Sequence, residues 1–261
     1  MIRALYTSAA GMQSQQTNLD VIANNLANVN TTGFKRSKAE FQDLLYQTTR
    51  ASGSDQGGGA TVPTAAQVGH GSRLVATSKI FTTGELSETG ENWNMAIKGD
   101  GFFEVVLADQ SRGFTRDGSF KVGSDGTVQT SDGLKVVGGF PTVAPGTTKV
   151  SISNTGLVTT EGPAGRQTAT LSLVRFANPA GLESLGGNLY RSTNASGTAE
   201  AGQPGTNGYG EVQQGWLELS NVKVVEEMVN MIIAQRAYEV NSKAVQAADE
   251  MMQISNNLRR G

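Results

Sequence analysis

The chain has 261 residues, 37% hydrophobic and only 17% charged, with a formal net charge of -2. A chain of this length buries most of its apolar surface in one or two domains. So even a charge balance excludes nucleic acid as a main partner, because phosphate binding needs a clustered basic field. There is no Cys, so no disulfide framework, thiolate nucleophile or cysteine-ligated metal, and a single His70 excludes a multi-histidine metal site.

Residues 1–8 lack the uninterrupted apolar core of a secretory signal, and no apolar run is long enough to span a bilayer. No membrane insertion is expected. The first predicted element is a helix from residue 2 to residue 28. Leu5, Ala9, Met12, Gln16, Leu19, Ala23 and Leu26 follow a 4-3 spacing that puts them on one stripe. Gly33, just beyond, suits the left-handed turn that follows a helix end. Residues 49–63, with Gly57-Gly58-Gly59, read as an irregular loop or extended arm.

The middle of the chain is β territory. Asp100-Gly101, Asp117-Gly118, Asp125-Gly126 and Asp132-Gly133 are hairpin signals between short runs rich in Val, Phe and Thr. Strands are expected over 102–107, 119–122, 134–137 and 168–175. No helix-length pattern intervenes, so an antiparallel sheet is expected rather than βαβ units. Phe102, Phe103, Phe114 and Phe120 fall in the strand patterns and are expected in the core.

The last element is again helical. Ile233, Ala237, Val240, Ala244, Ala247, Met251, Ile254 and Leu258 keep the 4-3 rhythm, and Val225, Val229 and Ile232 add a second stripe. Ser220 or Asn221 is the expected cap, Glu226 and Glu227 fall in the first turns, and Arg259 and Arg260 lie at the far end, all in accord with the helix dipole. The fold class is therefore α+β: terminal helices paired as a coiled-coil-like domain, with an antiparallel β domain inserted between them. The expected division is a discontinuous helical core of 1–30 and 221–261, a linker region of 31–72 and 212–220 carrying an arm at 46–63, and an outer β domain of 73–211.

One feature of the terminal helices is physically unusual. From Thr7 to Thr32 the only charged residue is Asp20, and the positions off the stripe carry amides and small groups. An ordinary surface helix opposes its apolar stripe with Lys, Glu and Arg. An uncharged face hydrogen-bonds to other chains without the several-kcal/mol desolvation penalty of a charge. Asn24, Asn25 and Asn28 are thus expected to pair across subunits, the stripe residues and Met228 to join them in the assembly interface, and Arg236 and Tyr238 to serve as its anchors. Glu239 and Lys243 form an expected i,i+4 pair. An ordinary homodimer or a helical hairpin packed on the β domain would present the same stripes.

Particular strings then narrow the reading. Ala23-Asn24-Asn25-Leu26-Ala27-Asn28 with Thr32-Gly33-Phe34-Lys35 resembles the N-terminal signature of flagellar rod and hook proteins. Met95-Ala96-Ile97-Lys98-Gly99-Asp100-Gly101-Phe102-Phe103 and Thr115-Arg116-Asp117-Gly118-Ser119-Phe120 are similar to that family's central motifs. Ser220-Asn221-Val222 and Gln235-Arg236-Ala237-Tyr238-Glu239-Val240-Asn241-Ser242-Lys243 resemble its C-terminal signature. The length and residues 46–63 (Tyr46, Gln47, Arg50, Gln56 and Pro63) resemble its distal-rod members, in which such an arm accompanies a straight, rigid tube.

The resemblance implies a structural subunit with no catalytic, cofactor or metal site. Copies of the chain would close a hollow helical tube across the periplasm, transmitting torque and conducting exported subunits. The implied partners are proximal rod and hook-side proteins, the surrounding basal-body rings, and the type III export apparatus that would carry the chain without a cleaved signal. A hook or proximal rod subunit of the same family is one alternative, and a secreted oligomeric binding or adhesion module is another. An enzymatic reading would need Asp100 and Glu104 as a carboxylate pair for glycan cleavage. Asp100 reads better as a turn residue, Glu104 as the outward member of a strand, His70 as a loop residue, and residues 202–210 as a surface loop without phosphate-loop form.

Overall fold

The computed structural model describes residues 2–52, 63–147, 149–163 and 165–258. The sequence readings that fall on Asp55, Gln56, Gly57-Gly58-Gly59, Arg259 and Arg260 lie outside the described residues. Two helices close on one another at the chain ends and an antiparallel β region lies between them in sequence, so the fold is α+β. The chain divides into two compact units. One takes the described parts of 1–26, 37–78 and 224–261, and the other takes 27–36 and 79–223.

In the first unit, α1 (Ile2–Ala27) and α2 (Val224–Leu258) pack antiparallel. Their register is fixed by two contacts. Asn25 Nδ2 donates to Glu227 Oε2 at 3.4 Å, and a Cβ added to Gly11 would lie 3.1 Å from Nδ2 of Asn241. Equal steps separate these points on the two helices, as a straight side-by-side pair requires. The residues of α2 buried in this seam are Glu227, Ala234 and Ala248. On α1 they are Ser14, Ile22 and Asn25. Apart from Ile22, this seam is made of small and polar residues that let the backbones approach closely.

The start of α2 corrects one expectation. Ser220 and Asn221 precede the helix at Val224 and do not cap it. Asn221 instead receives the Arg36 N–H at 2.7 Å and donates to Ile80 O at 2.8 Å, holding three chain segments of the second unit together. The acidic first turn is present as Glu226 and Glu227.

The remainder of the first unit is a two-stranded ribbon. Strands β1 (Ser37–Asp43) and β4 (Ser72–Lys79) pair, and β2 (Tyr46–Arg50) and β3 (Ala66–Gly69) continue the ribbon outward. The stretch expected as an irregular loop or extended arm from residue 49 is β-paired as far as Arg50, where Gln47, Thr48, Thr49 and Arg50 suit an exposed ladder. The Tyr46 ring lies over its cross-strand partner Gly69, 3.2 Å from where a Cβ would stand. His70 sits at the joint between the two halves of the ribbon, and its Nδ1 donates to Leu45 O at 3.0 Å. Ser14 Oγ of α1 donates to Ser72 O at 3.2 Å, and the Asn25 amide closes a two-point clasp with the Ser37 backbone at 2.8 Å each way. The ribbon is thereby anchored to α1 at both ends of its base.

The second unit is built on a five-stranded antiparallel sheet in the order Val136–Val137, Phe103–Val106, Arg112–Thr115, Leu189–Arg191, Glu183–Gly186. A three-stranded meander, Lys149–Ile152, Leu157–Gly162 and Gly165–Thr170, lies beyond it in sequence. One core gathers Met95, Ile97, Phe103, Val105, Phe120, Val158, Leu173 and Val212, all nearly solvent-free. A second is aromatic, with Phe102, Phe114, Phe176 and Tyr190 in edge-to-face contacts of 4.8 to 6.1 Å between ring centres.

Asp125-Gly126 and Asp132-Gly133 turn between paired segments as expected. The other two Asp-Gly signals do not make hairpins. Met95–Lys98 pairs with Glu211–Gln214 across Asp100-Gly101, and Arg112–Thr115 pairs with Leu189–Arg191 across Asp117-Gly118. At those two points distant segments outcompete the local partner. Glu104, expected to face outward, is buried and ion-paired with Arg112 on the adjoining strand.

Candidate assembly surface

The helical stripes read from the sequence are not the seam between α1 and α2. Ile233 is 61% exposed and Val240 67%, and Met251, Ile254 and Leu258 also face solvent. So do Ala244 and Ala247, while Ala237 is half-buried. The second stripe, Val225, Val229 and Ile232, is exposed too, and so are Met228 and Tyr238. The physical reason lies in the seam. Close antiparallel packing selects the Glu227, Ala234, Asn241, Ala248 row, whose members are seven residues apart, and this turns the larger aliphatic side chains away.

On α1 the expected stripe straddles the boundary: Leu5, Met12, Leu19 and Leu26 are half-buried, and Ala9, Gln16 and Ala23 are exposed. Asn24 is exposed and Asn28 half-buried, with Asn28 Oδ1 accepting from Thr31 Oγ1 at 3.2 Å. Asn25 differs from the expectation of an intersubunit amide. It is 1% exposed and spends its amide within the chain, on Ser37 and Glu227. Buried amides must find partners, and the ribbon supplies them locally. Arg236 pairs with Glu239 at 3.0 Å, so Glu239 turns one helical step back rather than forward to Lys243.

The apolar surface extends onto the ribbon. Phe41, Leu45, Tyr46, Val68 and Val75 are all exposed. Of the arm residues, Tyr46, Gln47 and Arg50 are exposed members of β2, and Pro63 is exposed at the edge of the described segment. A run of exposed aliphatic and aromatic residues on this scale marks a surface that other proteins cover.

Sequence reasoning missed a buried charge cluster in the second unit. Lys35 Nζ contacts Glu218 Oε1 at 2.6 Å and donates to Thr82 O at 2.7 Å, while Gly84 N–H donates to the same carboxylate oxygen at 2.9 Å. Arg116 Nη1 stands 3.6 Å from Glu218 Oε2, too far for a hydrogen bond, and its guanidinium lies 5.2 Å over the Phe102 ring. All three charged side chains are at most 1% exposed. Burial lowers the pKa of both Lys35 and Arg116, and the Glu218 charge works against it in each. Two cations thus share one carboxylate.

The motif strings converge on this cluster. Gly33, at φ 67°, donates its N–H to Glu218 O at 2.8 Å, and a Cβ there would come within 2.5 Å of the Asp117 backbone nitrogen. The strings Thr32-Gly33-Phe34-Lys35 and Thr115-Arg116-Asp117-Gly118 are therefore neighbours in the fold. Asn188 adds a third tie, donating to Thr32 O at 2.8 Å. Among the described residues no group of three or more His, Cys, Asp or Glu side chains is placed to hold a metal.

A discontinuous helical unit built from both chain ends, with its larger apolar side chains left uncovered, defines a self-assembling structural subunit. Comparison with known proteins specifies which. Residues 5–35 match the family described as flagella basal body rod protein, residues 96–160 the flagellar hook protein FlgE/F/G D1 domain, and residues 213–258 the flagellar basal body rod FlgEFG protein C-terminal region. The flagellar basal-body rod protein FlgG of Borreliella burgdorferi is 47% identical over the full length of both chains. The proteins of the same description from Agrobacterium fabrum (99% of this chain, all of the relative) and Bacillus subtilis (full length of both) are 46% and 40% identical. The chain belongs to the flagellar basal-body rod protein family.

Proposed function

We propose that this chain builds the distal segment of the flagellar rod, a rigid hollow helical tube that carries torque from motor to hook and conducts exported subunits. As a structural subunit of the basal-body rod it assembles with copies of itself and with axial neighbours. The observation that carries this reading is the uncovered apolar face of α2, from Val225 to Leu258. Each aliphatic side chain there would contribute roughly 1.5–3 kcal/mol on burial, and a heterologous contact that does not close into a ring repeats as a helical array. The stripe residues, Arg236 and Tyr238 then form the contacts between subunits, with the arm at 46–63 bracing adjacent copies. Torque transmission needs many contacts resisting twist in parallel and no chemistry.

The proposed setting is a tube crossing the periplasm, entered by type III export. Its neighbours there are proximal rod and hook-side proteins and the basal-body rings. The relatives described as FlgG, at 40 to 47% identity, support the distal assignment over a proximal rod subunit. The Caulobacter vibrioides protein described as FlgF is 33% identical over 96% of this chain. The experiment is Ile233→Asp and Val240→Asp, each checked by circular dichroism for an unchanged fold and then scored for polymerisation and swimming. Both variants are expected to stay monomeric and leave cells non-motile. Normal motility in either would overturn the helical-core reading.

A further inference from the structure

The loop over residues 202–210 carries a chemical feature that the assembly function does not use. Asn207-Gly208 is the only Asn-Gly pair in the chain. It occupies the two central positions of a tight turn, with φ 48° at Asn207 and 82° at Gly208, closed by Tyr209 N–H donating to Thr206 O at 2.8 Å. Positive φ at both positions is the mirror-image hairpin turn that Asn-Gly favours. Both residues are exposed. Among the described residues, neither the Gly208 N–H nor the Asn207 side-chain amide has a hydrogen-bond partner.

The peptide bond between them is polarised from one side. Arg175 Nη1 donates to the Asn207 carbonyl oxygen at 3.2 Å. The guanidinium is itself held in place, 5.1 Å over the Tyr209 ring and 3.9 Å from Glu200, and the Tyr209 hydroxyl donates to Glu200 O at 3.1 Å. The oxygen that Arg175 contacts belongs to the same amide as the Gly208 nitrogen. A cation on that oxygen stabilises the negative charge that develops when the N–H is lost.

We propose that Asn207 is a self-modifying site that deamidates spontaneously, with Arg175 as the positioning residue that accelerates it. Hydroxide takes the Gly208 amide proton, and the nitrogen attacks Asn207 Cγ to form a five-membered ring. The Cγ–Nδ2 bond breaks and the nitrogen, taking a proton from water, leaves as ammonia. Water then opens the succinimide at either carbonyl to give aspartate or isoaspartate, so the net reaction consumes one water and releases one ammonia. Rotation into the attacking geometry requires the turn to open, and one exposed turn hydrogen bond is a low local barrier. The aspartyl product places a carboxylate beside Arg175, and the isoaspartyl product lengthens the backbone within the turn.

The test is incubation of the purified chain at mildly alkaline pH, with tryptic mapping of residues 192–223 over time. The amide-to-acid mass shift is expected at Asn207 ahead of Asn194 and Asn221, with isoaspartate located by fragmentation. Arg175→Gln should slow the reaction by roughly 3- to 10-fold. That is below the 100-fold or so of a water-excluded donor, because Arg175 is partly solvated. Arg175→Lys, which keeps the cation, should recover part of the rate, and circular dichroism confirms that each variant is folded. Modification at Asn194 or Asn221 with Asn207 intact overturns the site. An unchanged rate in folded Arg175→Gln overturns the role of the guanidinium.

Discussion

Lys35 and Glu218, separated by most of the chain, meet at 2.6 Å with neither side chain exposed. Because Arg116 shares the same carboxylate, the two sides of the cluster are not equivalent. Glu218→Leu strands two buried cations and is expected to destabilise the second unit by about 3–5 kcal/mol. Lys35→Met leaves Glu218 with Arg116 and should lose clearly less. Urea unfolding of both variants checks the asymmetry, and equal losses would mean that Arg116 contributes nothing to the carboxylate.

Gly33 and Gly90 both adopt left-handed backbone, at φ 67° and 71°, but in different surroundings. A Cβ on Gly33 would meet the Asp117 backbone at 2.5 Å, whereas one on Gly90 meets nothing within 4 Å. Gly90→Ala should therefore lose only the conformational term of about 1–2 kcal/mol. Gly33→Ala adds a clash that backbone must absorb and should lose distinctly more. Thermal melts of the two variants read out the difference directly.

Ala234 and Ile233 are adjacent in sequence and opposite in role: the alanine is 1% exposed in the helix seam and the isoleucine 61% exposed outside it. Ala234→Leu forces two helices apart and should destabilise the first unit by about 1–3 kcal/mol. Ile233→Leu should change monomer stability by less than about 0.5 kcal/mol. Chemical denaturation followed at the helix band separates them.

How much of this was legible in the sequence depends on what kind of signal each feature leaves. The helices announce themselves because aliphatic residues recur at a helical period, and Asp125-Gly126 announces its hairpin through local turn chemistry. Periodicity does not say what a stripe faces. Gly11, Ser14, Asn25, Ala234 and Ala248 form the intramolecular seam yet carry little hydrophobic signal, so no stripe in the sequence marks them. Lys35, Arg116 and Glu218 are ordinary charges one at a time. Their burial follows from long-range strand pairing that no local window contains, as does the replacement of hairpins at Asp100-Gly101 and Asp117-Gly118 by distant partners.

Asp125 offers a pH handle. Hydrogen bonds from Thr127, side chain first and then backbone, with Lys135 adding its charge, hold its pKa at about 2. Its unfolded value is about 3.9. A folded pKa below the unfolded one stabilises the hairpin above about pH 4, and this contribution fades as pH falls toward 2. NMR titration of the Asp125 carboxyl should give a midpoint well below that of a free aspartate, and Thr127→Val should raise it. A midpoint unchanged by that substitution would remove Thr127 as the cause.

The two helices are unequal, 26 residues against 35. With Asn25 beside Glu227 and Gly11 beside Asn241, the position facing residue 2 is residue 250, so residues 251–258 run on past the shorter helix. Met251, Ile254 and Leu258 project from that free stub. Equal lengths would give the pair two blunt tips. The mismatch gives it a tongue at one tip only, and so a built-in sense of direction along its own axis.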